Sequence, residues 1–288
     1  MKAAKPAFVL RLDMSRTITN SGHNLVKSLK EMLSRFARKH GVALYSESVD
    51  GMLADLIEGI FEAYSSFVLL IDEYDKPILD NITNLRRANE MREVLRSFYT
   101  IVKSYDECFR FVFITGISKF SKTSVFSAMN NLVDISMLRR YGDITGYTQK
   151  ELEEKFSDWI TSKSMSLGKD ELLKAIKNYY DGFSFDGTTR LYNPFSILNF
   201  LFDEKFGNYW YTSGSPSFIV KYMKEHRIQS PDEYRHMEVP LDFADSHEIE
   251  TSKPESFLYQ SGYLTIEKLE NDVITLDYPN EEVKKSLA

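Results

Sequence analysis

The chain has 288 residues, 43% hydrophobic and 14% aromatic, which is enough apolar material for one large domain or two ordinary ones. Charged residues make up 27% and leave a net charge of −6, so overall charge gives no support to a protein that coats nucleic acid. The lone cysteine, Cys108, excludes an internal disulfide and fits a reducing, cytoplasmic setting. Cys108 precedes an apolar run and has no nearby histidine, so it reads as a buried core residue. No apolar run approaches the roughly 18 residues of a membrane span, and "MKAAKPAFVLRLDM" is too short in its apolar part for a signal peptide.

In chain order, residues 7–14 ("AFVLRLDM") read as a strand, and "NLVKSLKEMLSRFARKHG" as a helix stopped by Gly41. A second helix runs through "VDGMLADLIEGIFEAYS". The continuous apolar run "FVLLID", residues 67–72, predicts a strand covered on both faces in a parallel sheet. Helical spacing returns in "LRRANEMREVLRSFYTIVKSY". "RFVFITG" (110–116) is then a third strand and "LVDISM" (132–137) a shorter fourth. Strands alternating with long helices imply right-handed crossovers and a sheet with helices on its faces.

Near residue 145 the character changes. Thr148 and Glu151 form a capping-box pattern ahead of "KELEEKFSDWI". "KDELLKAIKNYY", "NPFSILNFLFDEKF" and "SPSFIVKYMKEH" follow as helices, the second with Pro194 in its first turn. The tail contains a short helix, two strand-like pieces ("YLTIEKL", "VITLDYP") and a last helical start, an order that suggests a winged-helix-like element. The expected divisions are 1–145 for an α/β core, 146–229 for a helical lid and 230–288 for the winged-helix-like part.

The chemistry concentrates where the second strand ends, at "FVLLIDEYDKPI". Asp72, Glu73 and Asp75 crowd together, and like charges that close need a cation, solvent or a proton. Ligands of parallel α/β sheets sit beyond the carboxyl ends of strands. There an Asp can orient a Mg²⁺ shell while the adjacent Glu polarises a water, since Mg²⁺ keeps several waters and needs only one or two carboxylates. The bland reading is a strand ending at the surface in charges. The next strand ends in Thr115, Ser118 and Lys119, with Lys122 further on. Thr115 and Ser118 are candidates to hold an attacking water or a γ-phosphate, and Lys119 to face phosphate or simply water. Arg139-Arg140 is a candidate arginine finger acting on a neighbouring copy, which would make the protein a homo-oligomer.

Five blocks, "FVLLIDEYDKPI", "RFVFITGISKFSKTSVFSAMNNLVDISM", "YGDITGYTQKELEEKF", "YYDGFSFDGTTRLYNPFSILNFL" and "FLYQSGYLTIEKLENDVITLDYPNEEVKKSL", together resemble the bacterial AAA-ATPase-like family, in the family's order and over essentially the whole chain. The resemblance implies a P-loop NTPase-like core followed by helical and winged-helix regions, with ATP and Mg²⁺ as cofactors. On this reading Asp72 is the metal residue, Glu73 the catalytic carboxylate, Thr115 or Ser118 the γ-phosphate sensor, and Asp75 and Lys119 accessory cofactor-binding residues.

The phosphate-binding loop G-x-x-x-x-G-K-[ST] is absent; the only Gly-Lys, Gly168-Lys169, precedes Asp170 in a helical stretch. The chain begins where the family's second strand begins, so the expectation is a piece or mis-started product of a longer protein, with unpaired sheet edges where the first strand belongs. Little or no hydrolysis by this chain is the consequence. The family's nuclease domain is absent too, and Pro231-Asp232 with Glu282-Val283-Lys284 mimics its signature by chance. The alternative function is a non-catalytic module that retains the fold and contacts protein or DNA, although the tail is mixed in charge.

Other constellations read blandly. Histidines 23, 40, 226, 236 and 247 show no metal-ligand spacing. Trp210 reads as core rather than a base-stacking platform, and the Asp181–Gly187 segment as a turn rather than a calcium loop.

Overall fold

The computed structural model describes residues 7–119, 132–212, 231–244 and 253–287, with Ile219 and Met223. These residues fall into two compact units, one up to Leu132 and the other from Val133 onward.

The first unit holds a parallel sheet of three strands, β1 (Phe8–Asp13), β2 (Phe67–Asp72) and β3 (Phe109–Ile114), in the order β1-β2-β3. Each crossover is helical. α1 (Gly22–His40) opens on Ser21, whose hydroxyl accepts the Asn24 amide, and closes on Gly41 at φ 70°, the stop read from the sequence. Leu25, Leu29, Leu33 and Ala37 recur every fourth residue and form its buried stripe. α2 (Val49–Tyr64) is capped by Ser48, and α4 (Leu85–Ser104) by Asn84; between them in the chain, the single turn α3 (Lys76–Leu79) follows β2. α1, α2 and α4 pack on one another.

Burial along β2 alternates: Phe67, Leu69 and Ile71 are buried while Val68 and Leu70 are half-buried. The register places Leu10, Leu69 and Val112 on one face and Val9, Val68 and Phe111 on the other. Phe111 and Phe113 stack with centroids 6.1 Å apart and stay exposed. The expectation of a strand covered on both faces is therefore corrected: among the described residues, helices bury one face.

A second correction concerns "LVDISM". Residues 132–138 are coil and turn, with no strand. A segment with strand-favouring residues such as Val133 and Ile135 becomes a strand only when a neighbour supplies its ladder hydrogen bonds, and β3 pairs among the described residues with β2 alone.

The second unit is helical and then antiparallel. α5 (Gln149–Lys155) begins with the anticipated capping box, in which Glu151 carboxylate and Thr148 exchange bonds with each other's backbone. α6 (Ser157–Leu167), α7 (Lys169–Tyr180), α8 (Pro194–Asp203) and the turn α9 (Tyr209–Thr212) follow. Leu152, Leu172, Ile176, Tyr180, Tyr192, Ile197 and Phe200 make the core of this helical part. Trp210 is buried edge-on against Tyr263, 4.8 Å between centroids, as the core reading expects. A second sheet, ordered β4-β6-β5, joins β4 (Met237–Pro240), β5 (Thr265–Glu270) and β6 (Val273–Asp277), all antiparallel. α10 (Pro254–Gln260) precedes the hairpin and α11 (Glu281–Leu287) follows it. The segment "SPSFIVKYMKEH" lies outside the described residues apart from Ile219 and Met223. No helix among the described residues is long and apolar enough to cross a membrane.

Candidate functional site

Parallel pairing in register puts Asp13 beside Asp72 at the carboxyl lip of the sheet. The ladder continues past the strand ends: the Thr115 amide donates to the Ile71 carbonyl at 2.8 Å, and the Tyr74 amide to the Thr115 carbonyl at 3.0 Å. That extension brings the Thr115 hydroxyl to Asp72, where it donates to Oδ1 at 2.7 Å. The other oxygen, Oδ2, meets the Arg11 guanidinium at 2.9 Å. Both partners of this ion pair are largely exposed, so Arg11 supplies a displaceable positive charge of little net stability.

Glu73 sits at φ 52°, an uncommon conformation for a residue with a side chain, and it turns the chain out of β2. Burial pushes its carboxyl above the ordinary range; Lys76 opposes this, and the charges of Asp72, Asp13 and Asp80 add to it. A half-buried glutamate with a raised proton affinity is suited to accept a proton from water. Asp13 was missed at the sequence level, although "RLDM" ends its strand on a carboxylate just as "LLIDE" does. Burial tends to raise it, but Ser15 hydrogen bonds and the Arg16 and Arg11 charges outweigh that and hold it low.

Asp75 and Ser118 face another way. Asp75 is buried, and its Oδ2 takes the Ser118 amide, while the Tyr74 hydroxyl donates to the Ser118 carbonyl at 2.6 Å. Tyr74 and Asp75 thus clamp the loop after β3. Burial pushes the Asp75 carboxyl up to about 7, against the Ser118 amide that favours the ionised form. The Ser118 hydroxyl is itself buried and has no partner among the described residues. Gly116 lies beneath this clamp: a Cβ there would fall 2.5 Å from the Tyr74 ring and 2.6 Å from Asp75 Oδ1. Of the two polar candidates that follow β3, Thr115 is the one placed on Asp72, and Ser118 belongs to the clamp. Lys119 is half-buried on the same loop, and Lys122 lies outside the described residues. Arg139 and Arg140 are exposed, the latter over the Tyr141 ring at 4.8 Å.

Elsewhere, Cys108 is buried and burial raises its thiol, in line with a core role. Asp186 accepts the amides of Thr188 and Thr189 at 2.8 and 2.7 Å, a turn as expected.

A parallel sheet whose strands end in Asp13, Asp72 and Glu73, with a hydroxyl on the neighbouring strand bonded to the middle one, defines an α/β domain with an acidic site at its strand ends. Residues 1–126 match the family model described as predicted AAA-ATPase. A curated relative, from Azotobacter chroococcum mcd 1 and named only as an uncharacterised protein in the vnfD 5′ region, is 34% identical over 284 residues. That match covers 97% of this chain and 53% of the relative, so the chain spans about half its length. A solved Walker-type ATPase of Pyrococcus abyssi aligns with a TM-score of 0.45 at 11% identity, over 97% of this chain and 84% of its own.

Proposed function

We propose that the first unit is the magnesium-and-water half of an ATPase site. Asp72 orients the Mg²⁺ shell, Glu73 takes a proton from the attacking water and Thr115 fixes Asp72 and reads the γ-phosphate, with Lys119 facing phosphate. Asp75 acts at one remove, by holding the loop that carries Lys119. The observation that supports this most is the 2.7 Å bond between Thr115 and Asp72, which couples the acidic strand end to the neighbouring strand. The residues present fit Mg²⁺: hard carboxylate oxygens at a partly exposed lip, with a displaceable guanidinium in attendance. ATP hydrolysis driving a conformational change belongs, on this reading, to the longer protein. The sequence holds no glycine-rich loop with its lysine, so this chain should bind ATP weakly.

The test is calorimetry with ATP and Mg²⁺ on this chain and its Asp72→Asn variant. Binding weaker than micromolar, with its Mg²⁺ dependence lost in D72N, supports the reading. Micromolar binding by the wild type overturns the weak-binding part, and a Mg²⁺ dependence that survives D72N overturns the assignment of Asp72.

For the second unit we read α5 to α9 as a helical lid and α10, the β5–β6 hairpin and α11 as a winged-helix-like element. The order helix, hairpin, helix supports it. A non-catalytic role in binding protein or DNA is the second reading, and a DNA affinity that falls steeply with salt is what would favour it.

A further inference from the structure

Three side chains far apart in sequence converge on the β4-β6-β5 sheet. His236, just ahead of β4, places Nδ1 2.8 Å from Glu267 Oε2 on β5 and 3.5 Å from Asp277 Oδ2 at the end of β6. One ligand atom from each lies within 4.8 Å of the others. A tetrahedral ion with arms of about 2.0–2.1 Å sets its ligand atoms roughly 3.3 Å apart, between the two separations His236 makes in this cluster. The donor set also selects: one imidazole and two carboxylates suit zinc and its first-row neighbours, whereas magnesium and calcium prefer oxygen alone. Two carboxylates balance a dication.

The sheet fixes the backbone of two of the ligands, Glu267 on β5 and Asp277 at the end of β6. The β5–β6 register breaks between Ile266 and Lys268, leaving Glu267 without a cross-strand partner in the ladder. Arg190 anchors that break by donating to the Ile266 carbonyl at 2.7 Å and the Glu267 carbonyl at 2.6 Å. A second observation points to a ligand. Asp277 also lines a cleft of about 380 Å³, whose wall includes Asp181 and Asn280. Both are more than nine-tenths buried, and Asp181 Oδ1 and Asn280 Nδ2 lack any hydrogen-bond partner among the described residues. Buried polar atoms left unsatisfied are costly, which marks the cleft that Asp277 shares with them as a place where a polar ligand is stabilised.

We infer that His236, Glu267 and Asp277 bind a divalent transition-metal ion of the zinc class at the rim of this cleft. Arg235, 3.5 Å from Asp277 and exposed, swings off the carboxylate when the ion enters. The site lies in the second unit and does not depend on the ATPase reading.

The test titrates the whole chain with Zn²⁺ by calorimetry and with Co²⁺ by visible absorption. The expected result is a saturable site whose affinity drops at least about tenfold in His236→Ala and in the conservative Glu267→Gln, while His23→Ala leaves it unchanged. Mg²⁺ should not compete. Circular dichroism of the variants keeps a folding defect distinct from a lost ligand, and because Glu267 is exposed, E267Q remains informative if H236A misfolds. Absence of saturable Zn²⁺ binding below about millimolar overturns the inference, as does a site that survives both substitutions.

Discussion

The Thr115 hydroxyl donates to the Asp72 carboxylate at 2.7 Å across two parallel strands, joining residues 43 positions apart. Replacing Thr115 by Val keeps the shape and removes the donor. Hydrogen bonds to charged groups are worth about 1.5–3 kcal/mol, and the part-exposed setting brings T115V below that range, to about 1 kcal/mol. Urea denaturation should show that loss, and Thr115→Ser should restore most of it. Equal stabilities for all three would mean that the bond contributes nothing.

Gly116 separates that bond from the clamp below it. Because a Cβ there would meet the Tyr74 ring at 2.5 Å and Asp75 at 2.6 Å, Gly116→Ala must push the ring aside or open the loop. Overpacking of this kind costs about 1–3 kcal/mol, readable as a lowered urea midpoint. A neutral G116A would show that Tyr74 moves freely.

Asp75 gives the fold a pH dependence whose sign can be stated. Its carboxyl is raised from 3.8 to about 7 in the folded chain, chiefly by burial. The native state therefore holds a proton that the unfolded chain has released, so stability from this group is full below 3.8 and is lost as pH rises through about 7. At one decade of affinity per unit the total is on the order of 4 kcal/mol, an upper figure. Asp75→Asn should flatten the stability profile between pH 4 and 7 and make the variant more stable than wild type at pH 8. Parallel profiles for the two proteins would remove Asp75 from the account.

In the second unit Gly182 sits at φ 125°, and a Cβ would lie 2.0 Å from the Pro279 carbonyl oxygen. The neighbour is backbone and the conformation is one that side chains rarely adopt, so nothing nearby can yield cheaply. Gly182→Ala is expected to cost at least about 3 kcal/mol, or to prevent folding, as followed by thermal melting. Full wild-type stability would mean that the Asp181–Phe183 turn rearranges without penalty.

How far the sequence reaches can be judged residue by residue. Gly41, the Thr148–Glu151 box and the strand "FVLLID" were legible because caps, helical spacing and apolar runs act over a few residues. "LVDISM" failed for the opposite reason: its composition suits a strand, but strand formation needs a partner that local sequence does not supply. Ser118 looked equivalent to Thr115 in the one-dimensional pattern. Only the paired backbone shows that Thr115 continues the ladder onto Asp72 while Ser118 drops into the Tyr74–Asp75 clamp.

By itself the sequence determined the alternation of strands and helices and the acidic end of β2, both properties of contiguous residues. The tertiary structure decided that Asp13 stands beside Asp72, that one face of the parallel sheet carries the helices, and that His236 meets Glu267 and Asp277. Those outcomes depend on strand register and pairing across dozens of residues, where a shift of one position turns a side chain to the opposite face.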